Sequence, residues 1–319
     1  MRAAVTGAGG FIGGHLSEYL RKQGYAVRGI DKKLPEYRSL ELWEDFIVHD
    51  LTVPRTDLYT DCDVVFHLAC NMGGVGFTAF HAADQMRDNM LITINVMDGA
   101  IENSVERFFF ASSACVYNTD LQQDPNNVVR LREDMWHPAN PDEGYGWEKL
   151  YSEMMLQEQE LQGRILARIG RFHNIYGEQG SYNDGREKAP AAICRKISEY
   201  DGTEPIEVWG TGEAIRTYIH VEDLIDGIYS LAMSDITTPI NLGSEEEISV
   251  IDFYRLVAEI AGKDVEFTYN LDAPTGPLGR SCDLTFTRET LGWEPKQSLR
   301  EGITRTYNWI DNQLHRRNQ

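Results

Sequence analysis

The chain has 319 residues, 42% of them hydrophobic and 25% charged, with a formal net charge of −20. Its length suits one large α/β domain or two unequal ones. The acidic balance argues against nucleic acid or an anionic membrane surface as the main partner, because both need basic patches. No apolar run approaches the ~20 residues that cross a bilayer.

The five cysteines, Cys62, Cys70, Cys115, Cys194 and Cys282, form an odd set with no C-x-x-C pair. That argues against a disulfide framework or a structural zinc site. No pair of histidines has metal-ligand spacing, so no metal is expected; His67, His173 and His220 read as structural.

Arg2 to Thr6 is a short apolar strand. It follows directly on the first residue with no signal segment, so a cytoplasmic protein is expected. GAGGFIG comes next, with Gly7, Gly10 and Gly13 in G-x-x-G-x-x-G spacing. An amphipathic helix carrying Leu16, Tyr19 and Leu20 on one face follows and closes at Gly24. Tyr25 to Ile30 is a second strand, ending at Asp31. This is a βαβ unit of about thirty residues. Its glycines permit a tight turn and close backbone approach. The helix opening at Gly10, Phe11, Ile12 and Gly13 is then placed to receive a pyrophosphate on its N-terminus. The strand before, the helix after and the acid at the end of the next strand make this a dinucleotide site. Asp31 is expected to bond the adenosine ribose and repel a 2′-phosphate, which favours NAD over NADP.

Phe46 to Val48 reads as a third strand. Asp50 and Leu51, just after it, are placed either to hold the adenine edge or simply to make a turn. Val64 to Ala69 is a fourth strand, 88–103 a long helix, and Phe108 to Ser112 a fifth strand that leads into Ser112-Ser113-Ala114-Cys115-Val116-Tyr117. Tyr145 to Gln162 is a helix and Arg164 to Arg171 a sixth strand. The alternation predicts an α/β fold with a doubly wound parallel sheet of the Rossmann type.

Past Tyr176 the rhythm breaks. Segment 178–190 reads as a loop, followed by short helices and strands in no simple alternation. We therefore divide the chain into an NAD-binding domain at 1–177 and a smaller substrate domain at 178–319, with a segment about 218–235 returning to the first. The loop runs into a basic stretch, Arg186, Lys188, Arg195 and Lys196 against Glu187, which reads as a site for an anionic ligand or as a solvated helix face.

Tyr145 and Lys149 form Y-x-x-x-K, which puts both on one helix face. A lysine there is expected to lower the phenol pKa from its usual value of about 10 and to bond the nicotinamide ribose, so that the tyrosine works as a base. Ser113, upstream, completes the set.

These features together resemble the extended short-chain dehydrogenase/reductase family of NAD-dependent nucleotide-sugar epimerases and dehydratases. The match covers the glycine loop, SS-x-x-VY, GYGWEK, RFHNIYG and HVEDL, and so essentially the whole chain. In that family NAD stays bound and cycles a hydride at a sugar carbon, usually C4. Dehydratases of the family carry Asp-Glu where this chain has Ala114-Cys115, so dehydration is disfavoured. Cys115, the GREKAP segment, and Met72 to Phe77 resemble the members that invert C3 and C5 of GDP-mannose. By that resemblance Cys115 and Lys188 exchange protons at C5 and C3 of a C4-oxidised sugar, while Tyr145 serves the C4 hydroxyl. Cysteine suits the task because nearby cations bring its pKa down from about 8.5. A lysine of depressed pKa suits the partner role.

The same resemblance assigns sugar or phosphate contacts to Gly73, Ser113, Ala114, Cys115, Asn174, Glu187, Lys188, Ala189 and Lys196, with Arg216 and Arg280 on the pyrophosphate. It also implies a homodimer built on the helices at 88–103 and 145–162, and GDP-L-galactose as product, with GDP-L-gulose from inversion at C5 alone. Ala214 departs from the family pattern, which has a substrate-contacting glutamine there. Two other readings stay open. One is a 4-epimerase acting on another nucleotide sugar, with Cys115 a packed spectator. The other is a non-catalytic NAD-binding regulator, against which Ser113, Tyr145 and Lys149 argue.

Overall fold

The computed structural model describes residues 1–317. Its strands are β1 (Arg2–Thr6), β2 (Ala26–Asp31), β3 (Asp45–Val48), β4 (Val64–His67), β5 (Arg107–Ser113), β6 (Arg130–Leu131) and β7 (Leu166–Phe172). They continue with β8 (Asn174–Tyr176), β9 (Ile206–Trp209), β10 (Ile215–His220), β11 (Ile240–Leu242), β12 (Glu247–Ser249), β13 (Phe267–Asn270) and β14 (Gly279–Cys282). The α-helices are α1 (Phe11–Lys22), α2 (Val75–Glu102), α3 (Glu143–Leu161), α4 (Ala189–Glu199), α5 (Val221–Ala232), α6 (Val250–Ala261), α7 (Thr285–Leu291) and α8 (Leu299–Arg317).

Seven strands form one sheet in the order β11-β7-β5-β4-β1-β2-β3, and every pairing in it is parallel. A parallel sheet needs cover on both faces, and its strands read as apolar runs. Phe108, Phe109 and Phe110 of β5 show how this works. All three are fully buried. Phe109 enters the core shared with α1 and α5, while Phe108 and Phe110 enter the opposite core under α2. Burying each such side chain contributes roughly 1.5–3 kcal/mol. The strand order reverses between β1 and β4, and the carboxyl ends on either side of that point make the crevice where ligands bind in such sheets.

The rest of the chain builds a smaller sheet, β12-β10-β14-β6, with β8 pairing the far end of β10. Its third core gathers Tyr176, Tyr218, Phe253 and Ile303 beneath α4, α6 and α8. On β10 and β14, which run parallel, Arg216 lies in register with Arg280. A separate ribbon, β13-β9, completes the structure.

The long helix differs from the expected 88–103. It begins at Val75 and passes a kink at His81, with φ −126° and ψ 18°. Glycine is a poor helix former, and the expected helix begins only at 88. Here Gly74 is the last residue before the helix and Gly76 lies in its first turn. Among the described residues no helix is long and apolar enough to cross a membrane.

Candidate active site

The glycine loop is shaped by backbone contacts. Gly7 has φ +73°, a left-handed conformation that favours glycine. At Gly13 a Cβ would lie 2.1 Å from the Gly7 carbonyl oxygen, and at Gly9 it would lie 2.8 Å from that of Lys33. Helix α1 opens at Gly10 with no side-chain cap, so the amides of Phe11, Ile12 and Gly13 face the crevice as an anion site. Asp31, at the end of β2, accepts the Gly9 amide at 3.0 Å and the Lys33 amide at 3.1 Å. Burial raises its carboxyl pKa, with those amides opposing. Such a cradle, followed by an acid at the ribose position, fits NAD.

Asp50 belongs to a turn: its carboxylate takes the amide and hydroxyl of Thr52 at 3.0 and 2.8 Å. The Leu51 side chain is buried in the core under α2, and its carbonyl accepts Asn95 at 2.9 Å.

Ser113 ends β5, and its hydroxyl accepts the Cys115 amide at 3.2 Å. Tyr145 and Lys149 project from the first turns of α3, buried together. The Lys149 ammonium lies 5.7 Å from the centre of the Tyr145 ring and 4.7 Å from that of Phe110. A buried ion pair, Arg171 Nη2 to Glu153 Oε2 at 2.7 Å, ties α3 to β7 and so holds this face against the sheet.

The expectation that Lys149 brings the phenol toward neutrality is not met in this arrangement. Burial, with Cys70, Cys115 and Glu148 nearby, pushes the Tyr145 phenol well up, and a hydrogen bond with Ser113 opposes. The charge of Lys149 is answered elsewhere. Glu148 lies 3.6 Å away, and although burial disfavours the ammonium, Cys70 and Glu148 together keep its pKa raised. Neither Cys70 nor Glu148 was singled out in the sequence.

Cys115 sits in a short 3-10 turn beyond Ser113. Arg280, from β14, donates to its sulfur at 3.3 Å, to Gln122 at 2.6 Å and to Asp142 at 2.8 Å. Burial works against the Arg280 charge, but Cys115 and Asp142 outweigh it and raise its pKa. Gly146 lets α3 pass closely: a Cβ there would lie 2.3 Å from the Cys115 carbonyl oxygen. Ala114 is buried in a small cluster with Val116 and Tyr117.

Lys188 is the last residue before α4. Burial lowers its ammonium pKa, while Cys115 and Cys70, within electrostatic reach, pull it back up. Gly73 backs onto the Phe77 ring, and Ala189 starts α4 on an exposed turn. Glu187 accepts the Gly185 amide at 2.7 Å and Arg195 at 3.3 Å.

The remaining predicted contacts are held by protein groups. Asn174 donates to the Thr217 carbonyl at 3.0 Å and Lys196 to that of Glu207 at 2.9 Å. Arg216 donates to the carbonyls of Ile215 and Thr275 at 2.8 and 2.9 Å, and burial takes its pKa down to about 10. The backbone of Ala214 accepts the Val250 amide at 3.0 Å, and its side chain is buried.

A glycine cradle at the sheet's reversal point and a serine–tyrosine–lysine set at the next strand end define a dinucleotide-dependent enzyme of the doubly wound class. Comparison with known proteins carries this to a family. Residues 3–243 match the NAD dependent epimerase/dehydratase family. A GDP-mannose 3,5-epimerase of Arabidopsis thaliana is 37% identical over 319 residues, covering 99% of this chain and 84% of its own. UDP-glucuronic acid decarboxylase 1 of Xenopus tropicalis is 29% identical, over 98% of this chain and 73% of its own. A UDP-glucuronic acid 4-epimerase from Bacillus cereus, solved with UDP-glucuronic acid and NAD, superposes with a TM-score of 0.85 at 25% identity, covering 98% of this chain and 100% of that one. The chain belongs to the NAD-dependent epimerase/dehydratase family. It is an enzyme with NAD as cofactor and a nucleotide sugar as substrate.

Proposed function

We propose that the protein inverts C3 and C5 of GDP-mannose, giving GDP-L-galactose, with GDP-L-gulose as the product of C5 inversion alone. What carries this reading is a thiol and an amine within electrostatic reach of each other, Cys115 and Lys188, with Cys115 also felt by Tyr145, and Ala114 and Cys115 standing where a dehydratase has two acids. NAD supplies the hydride acceptor at C4 and returns the hydride at the end of the cycle. Tyr145, bonded to Ser113, moves the proton of the C4 hydroxyl. The C4 ketone makes the neighbouring C–H bonds acidic. Cys115 and Lys188 then remove and restore protons at C5 and C3, and burial, which lowers the pKa of Lys188, makes its ammonium a better proton donor. The 37% identity to the Arabidopsis enzyme supports the same substrate.

Arg216 and Arg280 hold the pyrophosphate in this reading, exchanging part of their present bonds for phosphate oxygens. Gly73, Asn174, Glu187, Ala189 and Lys196 border the sugar and its phosphates. Domain 1–177, with 218–235, holds NAD, and 178–319 holds the nucleotide sugar. The protein acts as a homodimer. Trp147, Tyr151, Met154 and Leu161 of α3 are 46%, 51%, 52% and 80% exposed at helical spacing, an apolar stripe that a second copy would cover. We assign the reaction to the cytoplasm, in keeping with five free cysteines.

The test is GDP-mannose with the purified holoenzyme in deuterated water, read by proton NMR. Deuterium should enter C3 and C5, and Cys115→Ala should abolish it. A C4 epimer formed equally well by both proteins would mark Cys115 as packing and sink the reading.

A further inference from the structure

Three segments meet where Lys188 enters the pocket. The first is the loop after β4, Asn71 to Gly74. The second is the start of α2, with Phe77. The third is the run Asp184 to Lys188. Arg186 joins all three. Its guanidinium donates to the Asn71 side chain at 3.1 Å and to the Met72 carbonyl at 3.4 Å. It lies over the Phe77 ring, 4.0 Å from the centre, a cation–π stack. The other face of the α2 start is tied in as well: Phe77 stacks on His81, ring centres 4.4 Å apart, at the helix kink.

The backbones are as close as the side chains. The Gly74 amide donates to the Arg186 carbonyl at 3.0 Å. A Cβ on Gly74 would lie 2.5 Å from the Glu187 carbonyl oxygen, so only glycine admits this crossing. On its own side the run is turned by Gly185, at φ +80°, and by the Asp184 carboxylate, which accepts the Arg186 amide at 2.9 Å. Asp184, Gly185 and Arg186 are otherwise exposed. The contacts to Asn71, Met72, Gly74 and Phe77, with the Ala192 amide donating to the Lys188 carbonyl at 3.0 Å on the α4 side, therefore set where the chain two residues later delivers the Lys188 side chain.

We propose that Arg186 is a positioning residue for Lys188: it latches the 184–188 run onto the 71–77 loop and so sets the amine in line for proton exchange, without touching the reacting sugar. This rests on the function proposed above. It separates Arg186, whose contacts go to Asn71, Met72 and Phe77, from the residues of the C4 step on β5 and α3, although Cys70, the neighbour of Asn71, lies by Tyr145 and Lys149. Loss of the latch should therefore slow proton exchange and spare C4 oxidation.

The experiment uses the holoenzyme and three variants, Arg186→Ala, Arg186→Lys and Phe77→Leu. Deuterium incorporation at C3 and C5 is followed by NMR, and C4 oxidation by the transient absorbance of reduced nicotinamide. Arg186→Ala should lower incorporation ~10-fold or more and leave C4 oxidation within ~2-fold, with KM unchanged. Such a loss is about 1.4 kcal/mol of barrier per factor of ten. Arg186→Lys cannot make the stacked fork and should fall in between, as should Phe77→Leu. A rise in KM, or an equal fall of both steps, would make Arg186 a substrate ligand or a folding residue and overturn the proposal. So would unchanged exchange.

A second measurement needs no substrate. Labelling of the NAD-bound protein with trinitrobenzenesulfonate, mapped by mass spectrometry, should show Lys188 modified several-fold faster in Arg186→Ala than in the wild type, with Lys149 unchanged. Equal Lys188 rates would refute the latch. If the wild type exchanges no deuterium into GDP-mannose, the substrate reading fails, and the labelling rates alone decide the role of Arg186.

Discussion

The cofactor cradle, at the end of β1, and the proposed sugar pocket, at the end of β5, are built by different means. The cradle is a backbone object. Gly7, Gly9 and Gly13 shape it through the absence of side chains, and Asp31 is fixed by two main-chain amides. The pocket is a side-chain object. Cys115, Lys188 and Arg280 come from three separate places in the chain, and each is steered by residues of other elements. A backbone site tolerates almost no added atom but is insensitive to distant changes. A side-chain site tolerates substitution of its members without unfolding and loses its chemistry instead.

That contrast is open to test, beginning with the pocket. Lys188→Ala should cut deuterium exchange by ~10²–10⁴-fold, the usual worth of a general acid or base. Retained NAD and an unchanged melting temperature should accompany it. Unfolding of this variant would break the distinction. Tyr145→Phe should instead abolish C4 oxidation, and exchange with it, because the acidic C–H bonds never form.

In the cradle, Gly13→Ala forces a methyl group into the Gly7 carbonyl and should cost about 3 kcal/mol of stability. Thermal melting and the ratio of bound NAD to protein should fall together; a stable protein that merely binds NAD weakly would show the loop to be more yielding than its contacts imply. Asp31→Asn should weaken NAD ~10-fold, from hydrogen bonds to a charged group, and narrow the preference over NADP. Isothermal titration with the two cofactors gives both numbers.

The smallest effect belongs to the seam between the halves. Glu178 bonds His220 at 3.0 Å and Arg305 at 2.9 Å. Burial pushes its pKa up, but these partners prevail and hold it at about 2, against an ordinary 4.5. Its contribution is thus present above about pH 4.5 and lost as pH falls toward about 2. Glu178→Gln should cost about 1–2 kcal/mol at neutral pH, screened at the exposed edge. It should also flatten the acid limb of stability, as read by denaturant titration across that range.

What was legible in the sequence follows the same division. The glycine spacing, Asp31 and the Tyr145–Lys149 pair are short-range patterns, and a backbone site is written in short-range patterns. The seven-stranded sheet was visible through its apolar runs and intervening helices. The first turns of α2 were hidden, because two glycines precede the helix, Gly76 in its first turn is a poor helix former, and the helix kinks at His81. Asp50 was ambiguous because a turn aspartate and a ligand aspartate look alike until Thr52 is seen to satisfy it. Two features had no local signal at all. Arg280 reaches Cys115 across 165 positions, and the high phenol pKa of Tyr145 comes first from burial and then from Cys70 and Cys115, which only packing brings to it. Cys115 and Lys188 were reached through resemblance, since a lone thiol and a lone amine carry no spacing of their own.

One feature of the fold bears on how the pocket opens. Strands β7 and β8 are joined by His173 alone. This joint is buried, its amide donates to the Leu242 carbonyl at 3.0 Å, and its ring meets the Asn241 side chain at 3.3 Å. β7 belongs to the large sheet, and β8 pairs with β10 of the small one. A hinge needs residues free to change φ and ψ, and at this crossing none is free. At this joint the two sheets are therefore tied together rather than hinged. The exposed run at 183–186, by contrast, is fastened to the rest of the molecule through Arg186.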